Sequence, residues 1–183
     1  MENDFSFGLK FIDPEEVLKQ LDISEGMRIA DFGCGTGYFS LALAKKIGEE
    51  GVVYALDILP EKLEAVNSSA KNLNLTNIIT QRANLENANG SELDENSMDL
   101  VVVKDMLFQN KKKKDILNEA KRVLKSGSQA LIVEWRVENS TLGPERQLRI
   151  SKEALLEIAQ QIGFSVLKEL SVGSFHFGVL LVK

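Results

Sequence analysis

Cysteine and histidine are nearly absent from this chain, with Cys34 and His176 the sole examples in 183 residues. One cysteine excludes an intrachain disulfide and a multi-cysteine metal site. One histidine excludes a histidine-rich metal site, and the pair excludes a self-contained Cys-His zinc finger. Long apolar runs are missing too: none approaches the ~20 residues needed to span a bilayer. The opening segment MENDFSFGLK has no basic start followed by an apolar stretch, so no secretory signal and a cytoplasmic location are expected. Positive charge is in deficit, 22 Lys and Arg against 27 Asp and Glu, a net −5 with pI ≈ 5.1. That balance disfavours a nucleic acid or an anionic membrane as partner. With only three prolines, no repeat and no low-complexity stretch, nothing marks a linker. A single domain over residues 1–183 is expected, and 44% apolar with 27% charged residues suits an ordinary folded core.

What is present is an alternation of strand-like and helix-like segments. Residues 14–21 read as a short helix with Asp13 as N-cap and Pro14 at its first position. Arg28–Phe32 reads as a strand ended by glycines, and Val52–Leu56 and Leu100–Val103 are almost unbroken apolar runs, as in strands buried on both faces. Tyr38–Ile47 reads as a helix stopped by Gly48. Pro60–Leu73 reads as another, with Leu63, Val66, Ala70 and Leu73 on one face. A weak strand follows near Ile78–Gln81, then a polar, turn-rich stretch over residues 84–97. Lys112–Lys125 predicts a helix ended by Ser126–Gly127, followed by a strand over Ala130–Trp135. Lys152–Ile162 predicts a helix capped by Ser151. Phe164–Val172 and Phe175–Val182 read as strands joined by a tight Gly173–Ser174 hairpin. The expected fold is α/β: a Rossmann-like, doubly wound, seven-stranded sheet, mostly parallel, with one antiparallel strand from the C-terminal hairpin. Ligands of such sheets bind beyond the carboxyl ends of the strands, where the strand order reverses.

The residues joining the first strand to its helix are Asp31-Phe-Gly33-Cys-Gly35-Thr-Gly37-Tyr38. Alternating glycines let the backbone turn sharply and approach a ligand closely, and the helix that follows offers free N–H groups. The spacing is GxGxG, with Tyr38 where a dinucleotide fingerprint has its third glycine, and it is not GxxxxGK[ST]. The second strand ends at Asp57, twenty residues after Gly37, where a carboxylate can accept both hydroxyls of a ribose. Loop and acid together point to an adenosine-containing ligand. The plainer reading is a tight turn with a surface aspartate.

On these residues the chain resembles the class I methyltransferases that use S-adenosylmethionine. The likeness continues through Ala55–Glu64, Ser97–Val103 and Leu117–Gly127. A narrower likeness, carried by Ile132-Val-Glu-Trp135, Leu142-Gly-Pro144, Arg149-Ile-Ser151 and Phe175-His-Phe-Gly178, is to small methyltransferases of the ubiquinone/menaquinone-biosynthesis type. The resemblance implies that Asp31 and the backbone of Gly33, Gly35 and Gly37 hold the methionine and ribose part. It implies that Asp57 takes the ribose hydroxyls, that Ile58 packs on the adenine, and that Asn84 and Leu85 contact its edge. It brings the backbone at Lys104 near the sulfonium. Asn84 departs from the usual acid. Lys104-Asp105 replaces the small polar residues common there, and Lys104 is expected to point to solvent or pair with Asp105. Phe108 and Arg149 are expected to line the acceptor pocket.

Methyl transfer needs a general base only when the nucleophile must lose a proton. Glu134, at the end of the fifth strand, and His176 are the candidate catalytic residues, with Asp105 a further candidate base. A salt bridge of Glu134 to Arg149 and a structural His176 are the alternatives. Cys34 reads as a packing residue, and Lys111–Lys114 as a solvated face. Residues 1–12, with Phe5, Phe7 and Phe11, are expected to form a mobile N-terminal lid. The expected partner is a small-molecule methyl acceptor, in a monomer or homodimer. The competing readings are a non-catalytic S-adenosylmethionine-binding protein, a methyltransferase acting on protein or RNA, and, last, a nicotinamide-dependent oxidoreductase.

Overall fold

The computed structural model describes residues 11–138 and 142–183. Seven strands form one sheet: β1 (Arg28–Phe32), β2 (Val52–Asp57), β3 (Ile78–Arg82), β4 (Met98–Lys104), β5 (Leu124–Trp135), β6 (Ser165–Leu170) and β7 (His176–Val182). Their order is β3-β2-β1-β4-β5-β7-β6. All neighbours are parallel except β7, which runs antiparallel to both β5 and β6. Five α-helices accompany the sheet, α1 (Pro14–Leu18), α2 (Tyr38–Ile47), α3 (Pro60–Asn72), α4 (Lys113–Val123) and α5 (Lys152–Gln161), with short 3-10 turns at Leu107–Gln109 and Arg146–Leu148. The order reverses between β1 and β4, so the crevice falls beyond their carboxyl ends.

The apolar strands divide their side chains between two cores. Ala30, Phe32, Val101, Val103, Ala130 and Ile132 face one side, with α4 and α5 over them. Ile29, Leu100, Val102, Leu131 and Val133 face the other, covered by α1 and α2. This is the period of two acting on strands with no solvent face. The helix starts follow local chemistry. Asp13 accepts the Glu15 N–H at 3.0 Å, and Ser151 accepts that of Ala154 at 3.2 Å. The lysine run at the start of α4 opposes the helix dipole, but the Glu86 carboxylate accepts the Lys112 N–H at 3.0 Å and supplies the favourable charge.

The first helix ends at Leu18, short of the expected residue 21, and two expected loops differ as well. The strand after α4 begins at Leu124 and leaves no loop at Ser126–Gly127. Gly127 takes φ +77° there, and its N–H reaches the Lys183 carbonyl at 3.1 Å, so pairing with the chain end carries the strand through the glycine. The C-terminal hairpin has a five-residue link over 171–175, where a two-residue turn was expected. Gln20 removes Ser171 from the ladder: its side-chain amide donates to the Ser171 carbonyl at 2.8 Å and accepts the Ser171 N–H at 3.0 Å. Within the expected lid, residues 1–10, including Phe5 and Phe7, lie outside the described residues. Phe11 rests against Phe175 with ring centroids 5.4 Å apart, and the Ile12 carbonyl accepts the Tyr38 hydroxyl at 2.9 Å.

Candidate active site

A cleft of about 490 Å³ opens at the carboxyl ends of β1, β2 and β4. Its first wall is the glycine loop. Gly33, Gly35 and Gly37 all have positive φ, between +53° and +86°, which side-chain-bearing residues seldom adopt. A Cβ on Gly37 would lie 3.0 Å from Val66 Cγ2, so the loop packs tightly on α3. A Cβ on Gly35 would meet nothing within 4 Å, so its backbone faces open space in the cleft. Cys34 is buried in this loop, and burial pushes its thiol well up. That suits packing, not nucleophilic chemistry.

Asp57 ties the two sides of the cleft together. Its Oδ2 accepts the Gly35 N–H at 2.9 Å and its Oδ1 accepts that of Leu59 at 3.0 Å. Each oxygen keeps a lone pair for a further donor. Asp31 lies deeper, 2% exposed, and its Oδ2 accepts the Ser40 hydroxyl at 2.5 Å. Burial pushes its carboxyl up to about 6, against the opposing pull of Ser40 and of the Lys104 charge. Ile58 lines the cleft 48% exposed, an apolar surface awaiting a partner.

The far wall is the loop after β3. Asn84 and Leu85 both line the cleft. The Asn84 Oδ1 accepts the Glu86 N–H at 3.2 Å, which leaves its amide nitrogen able to donate to a further acceptor. Sequence reasoning missed what holds this loop. Ser91 donates its hydroxyl to buried Glu119 at 2.5 Å, and Arg122 braces Glu119 while donating to the Leu93 carbonyl at 2.7 Å. Some thirty positions separate Ser91 from its partners, so no local pattern announces the latch.

At the end of β4, Lys104 pairs with Asp105, as expected, and both line the cleft. Asp105 takes φ +50°, and His176 Nε2 lies 3.0 Å from its Oδ1. Burial pushes the Asp105 carboxyl up, but His176 and Lys104 outweigh it and hold it below the ordinary value. His176 is buried, with its ring 4.0 Å from that of Trp135.

Three expected site residues sit elsewhere. Glu134 is fully buried, outside the cleft lining, and among the described residues pairs with neither Arg149 nor any other cation. Its Oε1 accepts the N–H groups of Met106 at 2.9 Å and Leu107 at 2.6 Å. It shapes the turn after β4. Arg149 donates to the carbonyls of Leu142, Pro144 and Arg136, each at 2.7 Å, and so organises the segment after β5 away from the cleft. A cationic side chain in that aromatic-rich stretch reads like a pocket group, yet carbonyls took its donors. Phe108 is half-buried and outside the cleft lining, while its neighbours Met106, Gln109 and Asn110 line the cleft. Among the described residues no cluster of three metal-ligating side chains occurs, and no helix is long and apolar enough to cross a membrane.

A doubly wound sheet ending in one antiparallel strand, with a glycine loop and an acid meeting at its switch point, defines a nucleotide-type α/β binding domain of the class I methyltransferase kind. Comparison with known proteins gives the family. Residues 23–165 match the family described as "Methyltransferase domain", and the chain belongs to it. It is 31% identical over 122 residues to a demethylmenaquinone methyltransferase of Geobacillus kaustophilus, covering 66% of this chain and 50% of that protein. It is 28% identical over 142 residues to a ubiquinone/menaquinone biosynthesis C-methyltransferase of Blochmanniella floridana, covering 78% and 55%. The chain thus spans about half the length of these curated relatives. A crystal structure of a SAM-dependent methyltransferase from Aquifex aeolicus superposes with a TM-score of 0.86 at 28% identity, covering 94% of this chain and 91% of that one.

Proposed function

We propose that this chain is an S-adenosylmethionine-dependent methyltransferase acting on a small molecule. The observation that carries the reading is the convergence of the Gly35 amide and the Asp57 carboxylate, 2.9 Å apart, on a cleft whose opposite wall is Asn84–Leu85. The residues fit the cofactor. Asp57 has lone pairs for the ribose hydroxyls, Gly35 leaves room for close approach, and Ile58 offers an apolar face to adenine. Asn84 and Leu85 sit at the adenine edge, with the glycine loop and Asp31 toward the methionine end. The Lys104 ammonium would repel a sulfonium, and its pairing with Asp105 offsets that charge.

S-adenosylmethionine, when bound, supplies an activated methyl group. The chain's contribution is then to align the acceptor and exclude water, and orientation of this kind contributes about 7–11 kcal/mol to such reactions. The relatives are named for demethylmenaquinone methylation and for ubiquinone/menaquinone biosynthesis, which makes a quinone-type ring compound the first acceptor to try.

Calorimetric titration with S-adenosylhomocysteine, with NAD⁺ and with an Asp57→Ala control tests the reading. Micromolar binding of S-adenosylhomocysteine, lost in the control, is the expected result. A preference for NAD⁺, or no binding, refutes it.

A further inference from the structure

The loop that carries Asn84 and Leu85 stands between two hollows. The cleft lies before it, and a second cavity of about 480 Å³ lies behind residues 86–89, against Asp115, Asn118 and Glu119 of α4. Leu85 and Leu93 root the two ends of the stretch in the core. Between them, Ala88 is the sole apolar residue lining the rear cavity. Apolar packing therefore does not fix how far this stretch leans toward the cleft. Asn89 and Glu92 both take φ +54°, which non-glycine residues seldom adopt, so the loop keeps a shape that needs support from outside it.

That support converges on Ser91, which is completely buried. Glu119 Oε1 accepts both its N–H at 3.0 Å and its hydroxyl at 2.5 Å. From β3, Gln81 donates its side-chain amide to the Ser91 carbonyl at 2.8 Å. Arg122 grips both oxygens of Glu119, Nη2 to Oε1 and Nε to Oε2, each at 2.8 Å. Burial pushes the Glu119 carboxyl up, but Arg122 and Ser91 outweigh it and hold it below the ordinary value. The carboxylate is thus ionised and accepts only.

Gly90 carries the position of Ser91 to the cleft. A Cβ on Gly90 would stand 2.0 Å from the Asn84 carbonyl oxygen, so the two backbones touch. The Gly90 N–H donates to the Asn87 carbonyl at 3.0 Å, and the Asn87 N–H to that of Asn84 at 3.1 Å. A shift of Ser91 relative to α4 is therefore passed on to Asn84.

We propose that Glu119, with Arg122 behind it, is a positioning residue for base recognition: by pinning Ser91 it places the Asn84 amide against a ring nitrogen of adenine, and so makes the cleft select adenine over an oxopurine. The inference rests on the methyltransferase reading. Glu119 is outside the cleft lining and touches no ligand. Adenine has a bare N1 where hypoxanthine carries N–H, so an amide donor held there meets a lone pair in one base and a hydrogen in the other. A donor free to swing away makes no such distinction. Selectivity then depends on how firmly residue 84 is held, and not only on its being asparagine.

Calorimetric titration with S-adenosylhomocysteine and S-inosylhomocysteine, which differ only in the base, tests this. The wild-type protein should prefer the adenine ligand by about tenfold or more. Glu119→Ala should weaken the adenine ligand about tenfold and change the other less than about twofold, so the preference is lost. Glu119→Gln, whose amide oxygen still accepts from Ser91, should keep most of it. Asp99→Asn controls for general destabilisation. Asp99 pairs with Lys125 at 2.6 Å at the start of β4, the far end of the sheet from the cleft, and its loss should leave the preference intact. Should Glu119→Ala fail to fold, Ser91→Ala removes one of the two bonds to Glu119 and should narrow the preference by about threefold.

A wild-type protein without preference between the two ligands overturns the inference. So does an equal weakening of both ligands, or an unchanged preference, in the Glu119→Ala and Ser91→Ala proteins. A wild-type protein that binds neither ligand instead refutes the methyltransferase reading.

Discussion

Replacing Glu134 with glutamine separates its structural role from its charge. Glu134 is completely buried, and burial pushes its carboxyl from the ordinary 4.5 up to about 7. The amides of Met106 and Leu107 pull it down, and the nearby Asp105 charge pushes it further up. Below pH 4.5 folded and unfolded chains both hold the proton, and nothing depends on pH. Between 4.5 and about 7 the unfolded chain releases its proton first, so folding stability falls as pH rises. At about 1.4 kcal/mol per pH unit, that interval corresponds to about 3 kcal/mol lost by pH 8. Glutamine keeps an oxygen for the two amides but cannot ionise. Urea denaturation at pH 4.5 and pH 8 measures the effect. The wild-type protein should lose about 3 kcal/mol more than Glu134→Gln across that range. Any penalty for the new amide, placed where Oε2 has no partner, is the same at both pH values and cancels. Asp31, raised in the same direction, is present in both proteins and cancels too. Equal pH slopes for the two proteins would show that Glu134 ionises in the fold as it does in the unfolded chain, and would refute the reasoning.

Three further outcomes are expected. Gly37→Ala forces φ +86° on a side-chain-bearing residue and drives its Cβ to 3.0 Å from Val66, and thermal denaturation should show a loss of about 1–3 kcal/mol. Gly90→Ala would place a Cβ 2.0 Å from the Asn84 carbonyl. The loop bearing Asn84 and Leu85 must move, so calorimetry should find S-adenosylhomocysteine affinity reduced; unchanged affinity would show that this wall is not used. Cys34, buried and with its thiol pushed up, should resist a disulfide reagent in the native protein and react promptly in guanidinium, as followed by absorbance.

The strand–helix alternation, the helix caps at Asp13 and Ser151, the glycine loop and the acid at Asp57 were all legible along the chain. Each is a local property, a period of two or 3.6, a capping residue or a backbone that needs glycine, and local properties are written in neighbouring residues. The Asp31–Asp57–Asn84 side of the cleft was legible for the same reason: every member sits at a strand end, and the topology of alternating strands brings strand ends together. Pairings across the sheet were not legible. That Glu134 would spend its carboxylate on the amides of residues 106 and 107, that Arg149 would serve three carbonyls, and that Gln20 would stop β6 at Ser171 depend on which chain segments meet. The same holds for His176 and Asp105, 71 positions apart, which become neighbours only because β7 inserts antiparallel beside β5. Sequence alone therefore determined the fold class and which residues of the Asp31–Asp57–Asn84 side line the cleft. The partners of buried charges were decided by tertiary structure, because a desolvated polar group pairs with whatever the fold brings within about 3 Å of it.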